Sequence, residues 1–262
     1  MTASGGQGSA VADAADAGHE VPRRPALIPP GVRLRWRPST IGLKIVMAVT
    51  GVVFALFVFV HMIGNLKIYT GAEHFDAYAH WLRTLAEPLL PYQGALWLFR
   101  VVLAACLVAH VGAAAVLAAR ARRARGPFRR RGLRGLRSFT ARTMAVSGIV
   151  LLAFIVFHIL DLTTGTGPAA SSAFTPATTS SSAAYANLVA SFERPAVAGF
   201  YLLAMLVLGA HLAHGLYTAV SDLGVTGRRT RQLAIAAGGL LAGAVMVANM
   251  SIPIAVQAGW LR

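Results

Sequence analysis

The chain has 262 residues, of which 56% are hydrophobic and only 13% are charged, and its net charge is +15. This composition excludes an ordinary soluble domain and indicates a multi-pass membrane protein. The positive charge does not indicate a nucleic-acid partner, because it is concentrated in short segments between apolar runs, where orientation signals lie. The single cysteine, Cys106, excludes a disulfide within the chain and a cysteine-ligated iron–sulfur cluster.

Residues 1–38 are rich in Ala, Gly, Ser and Pro and then become basic. They contain no apolar core, so we expect a disordered basic cytoplasmic tail and not a signal peptide. Residues 39–262 are expected to form one membrane domain.

Five stretches of 17 to 25 residues contain no charged side chain. Each is long enough to cross a hydrocarbon core of about 30 Å, and in lipid only a helix satisfies its backbone hydrogen bonds. The stretches are 45–63, 101–119, 144–160, 196–220 and 233–256, and the predicted helices extend over about 41–66, 95–120, 140–162, 196–221 and 231–257. The predicted fold is therefore an all-α integral membrane protein, a bundle of five transmembrane helices.

The basic residues predict the orientation of these spans. Arginines cluster before the first span and between the fourth and fifth, and residues 120–137 alone contain nine. The other two loops are poor in Lys and Arg, so the N-terminus is predicted in the cytoplasm and the C-terminus outside. The arginine block is either a topology signal that contacts anionic lipid or a docking surface for a soluble partner. Trp97, Tyr201 and Trp260 are expected to be aromatic anchors near the outer interface.

Asp, Glu, Lys and Arg are absent from the spans, but histidine recurs in four of them. The five histidines concerned are His61, His110, His158, His211 and His214. Ionisable residues in membrane helices are costly and usually functional, and four helices that each carry a histidine indicate a common purpose.

Helix geometry sorts four of these histidines into two levels. At a rise of about 1.5 Å per residue, His61 lies roughly 24 Å and His158 roughly 21 Å from the cytoplasmic start of its span. His110 and His211 each lie roughly 14 Å from the cytoplasmic end of theirs. Two imidazoles on different helices at each level suit bis-histidine ligation of haem in a bundle core. A zinc site is the competing interpretation, but it would need three or four converging ligands.

The segments around these histidines resemble the cytochrome b subunit of succinate:quinone oxidoreductases, in its five-helix, di-haem cytochrome b558 form. The resemblance covers most of residues 38–227. The resembling segments are PSTIGLKIVMAVTG and HMIGNL in the first span, LFRVVLAACLVAH in the second, SGIVLLAFIVFH in the third and GFYLLAMLVLGAHLAHGLYTAVSDLG in the fourth.

The resemblance implies one haem ligand on each of the first four spans. His61 and His158 correspond to the ligands of the outer haem b, and His110 and His211 to those of the inner haem b. His214 is then either a further contact of the inner haem or the alternative ligand in the fourth span. Some family members carry a glutamate for proton transfer two residues before the fourth ligand, where this chain has Gly209.

The resemblance also implies the function and the partners. The chain is expected to be the non-flavin membrane subunit of succinate dehydrogenase (quinone), in the inner cell membrane. A flavoprotein subunit would oxidise succinate, as in the tricarboxylic acid cycle, and an iron–sulfur subunit docked on the cytoplasmic face would pass the electrons on. The two haems b and a quinone of the respiratory chain, which we predict to be menaquinone, would accept them. A higher oligomer is compatible with this family, and a nucleic-acid partner is not expected.

Polar residues near both membrane faces are candidate contacts of the quinone. Arg37, Ser39 and Lys44 lie at the predicted cytoplasmic mouth, and Asn65 lies at the outer end. A helix cap and ordinary interfacial charges explain the same residues equally well.

Two other functions fit parts of the sequence. One is the di-haem cytochrome b anchor of another quinone-linked dehydrogenase, which co-purification with a succinate-active flavoprotein would exclude. The other is a haem-free membrane anchor or a transporter. A transporter is disfavoured, because the sequence shows neither the internal repeats nor the broken helices typical of that class.

The orientation is testable by cysteine labelling. After Cys106 is replaced, an impermeant thiol reagent added outside should label Ser180→Cys and should leave Ser138→Cys unlabelled until the membrane is opened. The physical basis is the excess of arginine on the 120–137 side of the bundle. The reverse labelling pattern would overturn the orientation and exchange the inner and outer levels.

Overall fold

The structure is a computed structural model that describes residue 2 and residues 38–126, 136–225 and 227–262. Throughout these residues the regular structure is helical and no strand is present. Five of the helices are long and apolar enough to cross a membrane, which confirms the predicted all-α, five-helix class. Residue 1 and residues 3–37, including Arg37, the arginine-rich segment 127–135 and residue 226 lie outside the described residues.

The described part of the chain contains seven α-helices, α1 to α7. They are α1 (Thr40–Leu66), α2 (Ala72–Thr84), α3 (Gly94–Arg125), α4 (Leu136–His158), α5 (Ala184–Phe192), α6 (Pro195–Asp222) and α7 (Arg228–Gln257). The five membrane spans are α1, α3, α4, α6 and α7. A π-helical segment, Ile159–Thr164, extends α4 without a break.

The ends of the spans follow local chemistry. The Ser39 hydroxyl accepts a hydrogen bond from the backbone N–H of Gly42 at 2.9 Å and so caps the start of α1. Pro195 occupies the first turn of α6, where its missing N–H is not needed. Arg120, near the end of α3, donates to Thr40 Oγ1 at 3.0 Å and to the Pro38 carbonyl at 2.7 Å. Two neighbouring spans are therefore tied together at this end, which we call the basic end.

Four spans surround a common centre. α1 packs against α3 and against α6, α4 packs against α6, and α3 meets α4 at only a few residues. The order around the centre is therefore α3, α1, α6, α4. In this arrangement α1 faces α4 diagonally and α3 faces α6 diagonally. The side between α3 and α4 is the least closely packed.

The fifth span, α7, lies outside this group of four and packs most extensively on α6. A methyl group added at Gly209 of α6 would lie 3.0 Å from Sδ and 3.3 Å from Cβ of Met246 on α7. Gly209 therefore faces the α6–α7 contact, and a glutamate at this position would displace α7.

The end opposite the basic end is closed by α2 and α5, two helices that the sequence analysis placed in loops. α5 is only nine residues long, which is too short for it to be predicted as a membrane span from its apolar side chains. Phe75 of α2 and Leu188, Val189 and Phe192 of α5 are buried in one hydrophobic cluster with side chains of α4, α6 and α7. The loops thus add a lid of packed helices to the bundle.

One residue is placed differently from its sequence-based prediction. Tyr201 is only 5% exposed and is not a lipid-facing anchor, because its hydroxyl bonds to a buried carboxylate. That carboxylate belongs to Asp161, which lies in the π-helical extension of α4 with 1% of its surface exposed. Trp97 and Trp260 are exposed, as anchors should be.

The α6–α7 contact can be tested with a pair of glycine substitutions. Gly209→Leu should destabilise the purified protein by about 1–3 kcal/mol, because the added side chain overpacks against Met246. Gly199→Leu on the same helix is the matched control, since a methyl group there meets nothing within 4 Å. Thermal unfolding in detergent should show a lower midpoint for Gly209→Leu alone, and equal midpoints would contradict the assigned contact.

Candidate functional site

His61 and His158 lie next to each other across the bundle, on the diagonal helices α1 and α4. Their ring centroids are 5.9 Å apart, with the ring planes at 83°. Phe57 stacks on His61 at 5.4 Å and Phe154 stacks on His158 at 5.7 Å. Histidine nitrogens bind metal ions at about 2 Å, so two bound to one ion from opposite sides lie about 4 Å apart. The observed separation of the rings is compatible with that distance.

His110 of α3 is oriented by Thr50 of α1. Its Nδ1 lies 2.9 Å from Thr50 Oγ1. The Thr50 hydroxyl has two backbone carbonyls in reach, that of Val46 at 2.7 Å and that of Met47 at 3.3 Å. With its proton on the nearer carbonyl, it acts as an acceptor towards the imidazole. The proton of neutral His110 is therefore on Nδ1, and Nε2 keeps a lone pair for another partner.

His211 of α6 is held in the same manner by Ser147 of α4. Its Nδ1 lies 2.8 Å from Ser147 Oγ, and that hydroxyl donates to the Met144 carbonyl at 3.0 Å. By the same reasoning, the neutral His211 ring carries its proton on Nδ1 and keeps a lone pair on Nε2. His211 also interacts electrostatically with His110 and with His214.

His158 is oriented by Tyr201 of α6. Nδ1 of His158 lies 3.3 Å from the Tyr201 hydroxyl, which donates its proton to Asp161 Oδ2 at 2.9 Å. Tyr201 therefore accepts from His158 Nδ1–H, and Nε2 again keeps its lone pair. His61 has ring contacts, and among the described residues it has no hydrogen-bond partner of this type.

The positions of Thr50 and Ser147 also give the distance between the two histidine levels. Thr50 lies eleven residues before His61, and Ser147 lies eleven residues before His158. At about 1.5 Å per residue this separates the His110–His211 level from the His61–His158 level by about 16 Å. The depth estimate from the sequence and the hydrogen bonds thus divide the histidines into the same two pairs.

A glycine follows each of these hydroxyl residues and faces the same imidazole. A methyl group added at Gly51 would lie 3.6 Å from Cε1 of His110, and one at Gly148 would lie 3.8 Å from Cε1 of His211. The segments 50–61 and 147–158 therefore share one pattern, a hydroxyl residue, glycine, nine residues and histidine. The sequence analysis missed this internal correspondence, which was the available signal for Thr50 and Ser147.

The described side chains do not form a metal-binding cluster other than these histidine pairs. Among them, no group of three or more His, Cys, Asp or Glu residues converges on one point. The imidazoles occur as two pairs, and this donor set suits the two axial positions of a planar macrocycle better than a tetrahedral zinc ion. The residues present therefore fit haem.

The predicted quinone contacts do not meet at one place. Ser39 caps α1, and Lys44 pairs with Asp222 of α6 at 2.9 Å, both at the basic end. Asn65 lies at the opposite end of α1 and donates to Asn249 of α7 at 3.0 Å. A cavity of about 310 Å³ at the basic end was not predicted. Its lining residues are Tyr217, Thr218, Ser221, Val225 and Arg231.

Comparison with known proteins gives one family match. The model of the succinate dehydrogenase/fumarate reductase transmembrane subunit family matches residues 119–248, which contain α4, α5, α6 and most of α7. No curated protein and no solved structure gives a significant match. The matched segment contains His158 and His211 together with their partners Tyr201 and Ser147. The chain, with its five apolar spans, belongs to the family of succinate dehydrogenase/fumarate reductase transmembrane subunits and is a multi-pass membrane protein.

Proposed function

We propose that this chain is the membrane-anchor cytochrome b of a succinate:quinone oxidoreductase, in which two haems b take part in electron transfer from an iron–sulfur subunit to membrane quinone. One observation carries the proposal. Nδ1 of His110, His158 and His211 each faces a hydroxyl whose own proton is donated elsewhere, so Nε2 of each ring keeps a lone pair inside the bundle.

This arrangement is what a metal-binding histidine requires. Such histidines usually donate their second N–H to a fixed acceptor, which orients the ring and raises the basicity of the coordinating nitrogen. An imidazole that served only for packing would not need a fixed hydroxyl acceptor, and here three imidazoles each have one. His61, stacked on Phe57 and next to His158, would be the fourth ligand.

The helix arrangement explains why the ligands occur in pairs. His61 and His158 come from one diagonal of the bundle, and His110 and His211 from the other. Each pair would hold one haem between facing helices, and haem supplies one-electron transfer when bound. The protein's part is to present Nε2 from both sides, to keep water away with apolar side chains and to hold the two levels at a fixed separation.

The fourth-span ligand is assigned to His211. His211 has the hydroxyl acceptor Ser147 and faces Gly148, which repeats the surroundings of His110. His214 lies one turn nearer the basic end and would be a contact beside the inner haem.

The basic end is the proposed docking face of the iron–sulfur subunit, which is attached in turn to the flavoprotein subunit. Arg120 is anchored there by two hydrogen bonds to the start of α1, and the exposed Arg228 and Arg229 begin α7. This face would be cytoplasmic. Menaquinone is the proposed electron acceptor, with Arg37, Ser39 and Lys44 near one membrane face and Asn65 near the other as its candidate contacts.

The haem content tests this function directly. A pyridine haemochrome assay on the purified native complex should give two non-covalent haems b per chain, and the subunit list should include a succinate-active flavoprotein. One haem or none would contradict the proposal. A flavoprotein that acts on another substrate would assign the chain to a different quinone-linked dehydrogenase.

Single histidine substitutions test the pairing. His61→Ala and His158→Ala should remove the same component of the reduced-minus-oxidised spectrum, and His110→Ala and His211→Ala should remove the other. His214→Ala should retain both components. If His61→Ala and His110→Ala remove the same component, the two-level assignment is wrong. If His214→Ala loses the inner haem and His211→Ala keeps it, the ligand assignment in α6 is wrong by one turn.

The hydroxyl acceptors give a milder test. Thr50→Val and Ser147→Ala should each weaken retention of the inner haem by roughly 10–100-fold, because the imidazole loses the group that orients it. Ser221→Ala is a suitable control, since among the described residues its hydroxyl bonds to the Tyr217 carbonyl one turn earlier, at 3.0 Å, and to no histidine. Haem loss to an acceptor protein over time is the measurement, and equal rates for all three variants would contradict the orienting role.

A further inference from the structure

Asp161 is a buried carboxylate that the ligand set does not use. It is 1% exposed and lies in the π-helical segment that follows His158. Removing a carboxylate from water costs several kcal/mol unless it is paired and hydrogen-bonded, and buried ion pairs often contribute little net stability. Single π-helical turns within α-helices are frequent at functional sites. A charge kept at this position therefore indicates a role beyond packing.

Both oxygens of the Asp161 carboxylate accept hydrogen bonds. Oδ1 accepts from Arg194 Nη2 at 2.7 Å. Oδ2 accepts from Ser191 Oγ at 2.6 Å and from the Tyr201 hydroxyl at 2.9 Å. Arg194 is itself fixed, because it also donates to the Ala169 carbonyl at 2.7 Å. The carboxylate thus has one position and one orientation relative to α6.

Tyr201 connects this carboxylate to the imidazole. Its ring is 5% exposed and makes edge contacts with Phe154 at 5.1 Å and Phe192 at 4.8 Å. Its proton points to Asp161 and its lone pair points to His158 Nδ1, 3.3 Å away. The three groups form one directed chain in which the imidazole donates to the phenol and the phenol donates to the carboxylate.

The other two oriented histidines have no such chain. Thr50 and Ser147 pass their protons to the backbone carbonyls of Val46 and Met144, which are neutral. Of these three oriented histidines, only His158 is connected through a hydroxyl to a charged acceptor. Inside a low-dielectric bundle, hydrogen bonds in series polarise one another, and a charged end group strengthens the effect.

We propose that Tyr201 and Asp161 are positioning residues that polarise the His158 imidazole and thereby lower the reduction potential of the haem held by His158. An imidazole that donates towards a carboxylate is a stronger electron donor through Nε2, and a stronger donor stabilises ferric over ferrous iron. The inference rests on the proposed function, because it requires haem at the His61–His158 level.

The experiment is a redox titration of the native complex carrying Tyr201→Phe, which removes one oxygen and keeps the buried ring. The haem content is measured first. The midpoint potential of the component that is lost in His158→Ala should shift upward, and its low-spin ferric EPR signal should move. The other component should keep its potential. A packing role alone would change stability without shifting one potential selectively.

Tyr185→Phe is the matched control. Tyr185 lies in the same end of the bundle and contacts Phe75 at 6.4 Å between ring centroids, and among the described residues its hydroxyl has no hydrogen-bond partner. Both midpoint potentials should equal those of the unmodified complex. A shift in this control as large as that in Tyr201→Phe would overturn the proposal.

Asp161→Asn tests whether the carboxylate acts on His158 through the hydrogen bonds of Tyr201 or directly through space. It should raise the potential of the same haem, and the double variant should shift no further than the larger single shift. An unchanged potential in Tyr201→Phe, or strictly additive shifts, would overturn the relay. If Asp161→Asn does not assemble, Tyr201→Phe alone decides. An unmodified complex without haem would instead overturn the proposed function, so the two failures are distinguishable.

Discussion

A hydroxyl group has a single proton, and inside a membrane bundle that proton must reach an acceptor. Thr50 and Ser147 satisfy it within their own helices, and Tyr201 satisfies it at Asp161. Each hydroxyl oxygen is then an acceptor aimed at an imidazole of a neighbouring helix. The tautomer of His110, His158 and His211 and the direction of Nε2 in each ring depend on this proton count.

A hydroxyl that orients a histidine of a neighbouring helix occurs in each of two similar halves of the bundle. α1 and α3 form one half, and α4 and α6 the other. In each half the first helix carries a hydroxyl residue and a glycine at one level and a histidine eleven residues later at the other. The second helix supplies the imidazole that the hydroxyl orients. Because the halves face each other, like-placed histidines of the two halves meet across the diagonals, which produces two pairs at two depths.

The sequence was sufficient for the five spans, and it predicts two histidine levels, because both depend on local counts along single helices. Residues that act through partners on other helices were not predictable in this way. Thr50 lies 60 residues from His110, Ser147 lies 64 from His211, and Tyr201 lies 43 from His158. Serine and threonine are ordinary in membrane helices, so their roles depend on which helices become neighbours.

The two levels also differ in charge. At the His110–His211 level the two hydroxyls donate to neutral backbone carbonyls, and Gly209, two residues before His211, is packed against Met246. The buried carboxylate of this chain is instead Asp161, one turn beyond His158, where the π-helical segment and Arg194 hold it. A buried ion pair that is hydrogen-bonded through Tyr201 to His158, with only neutral carbonyls in the corresponding place at the other level, makes the two levels inequivalent, although the helices that build them are alike.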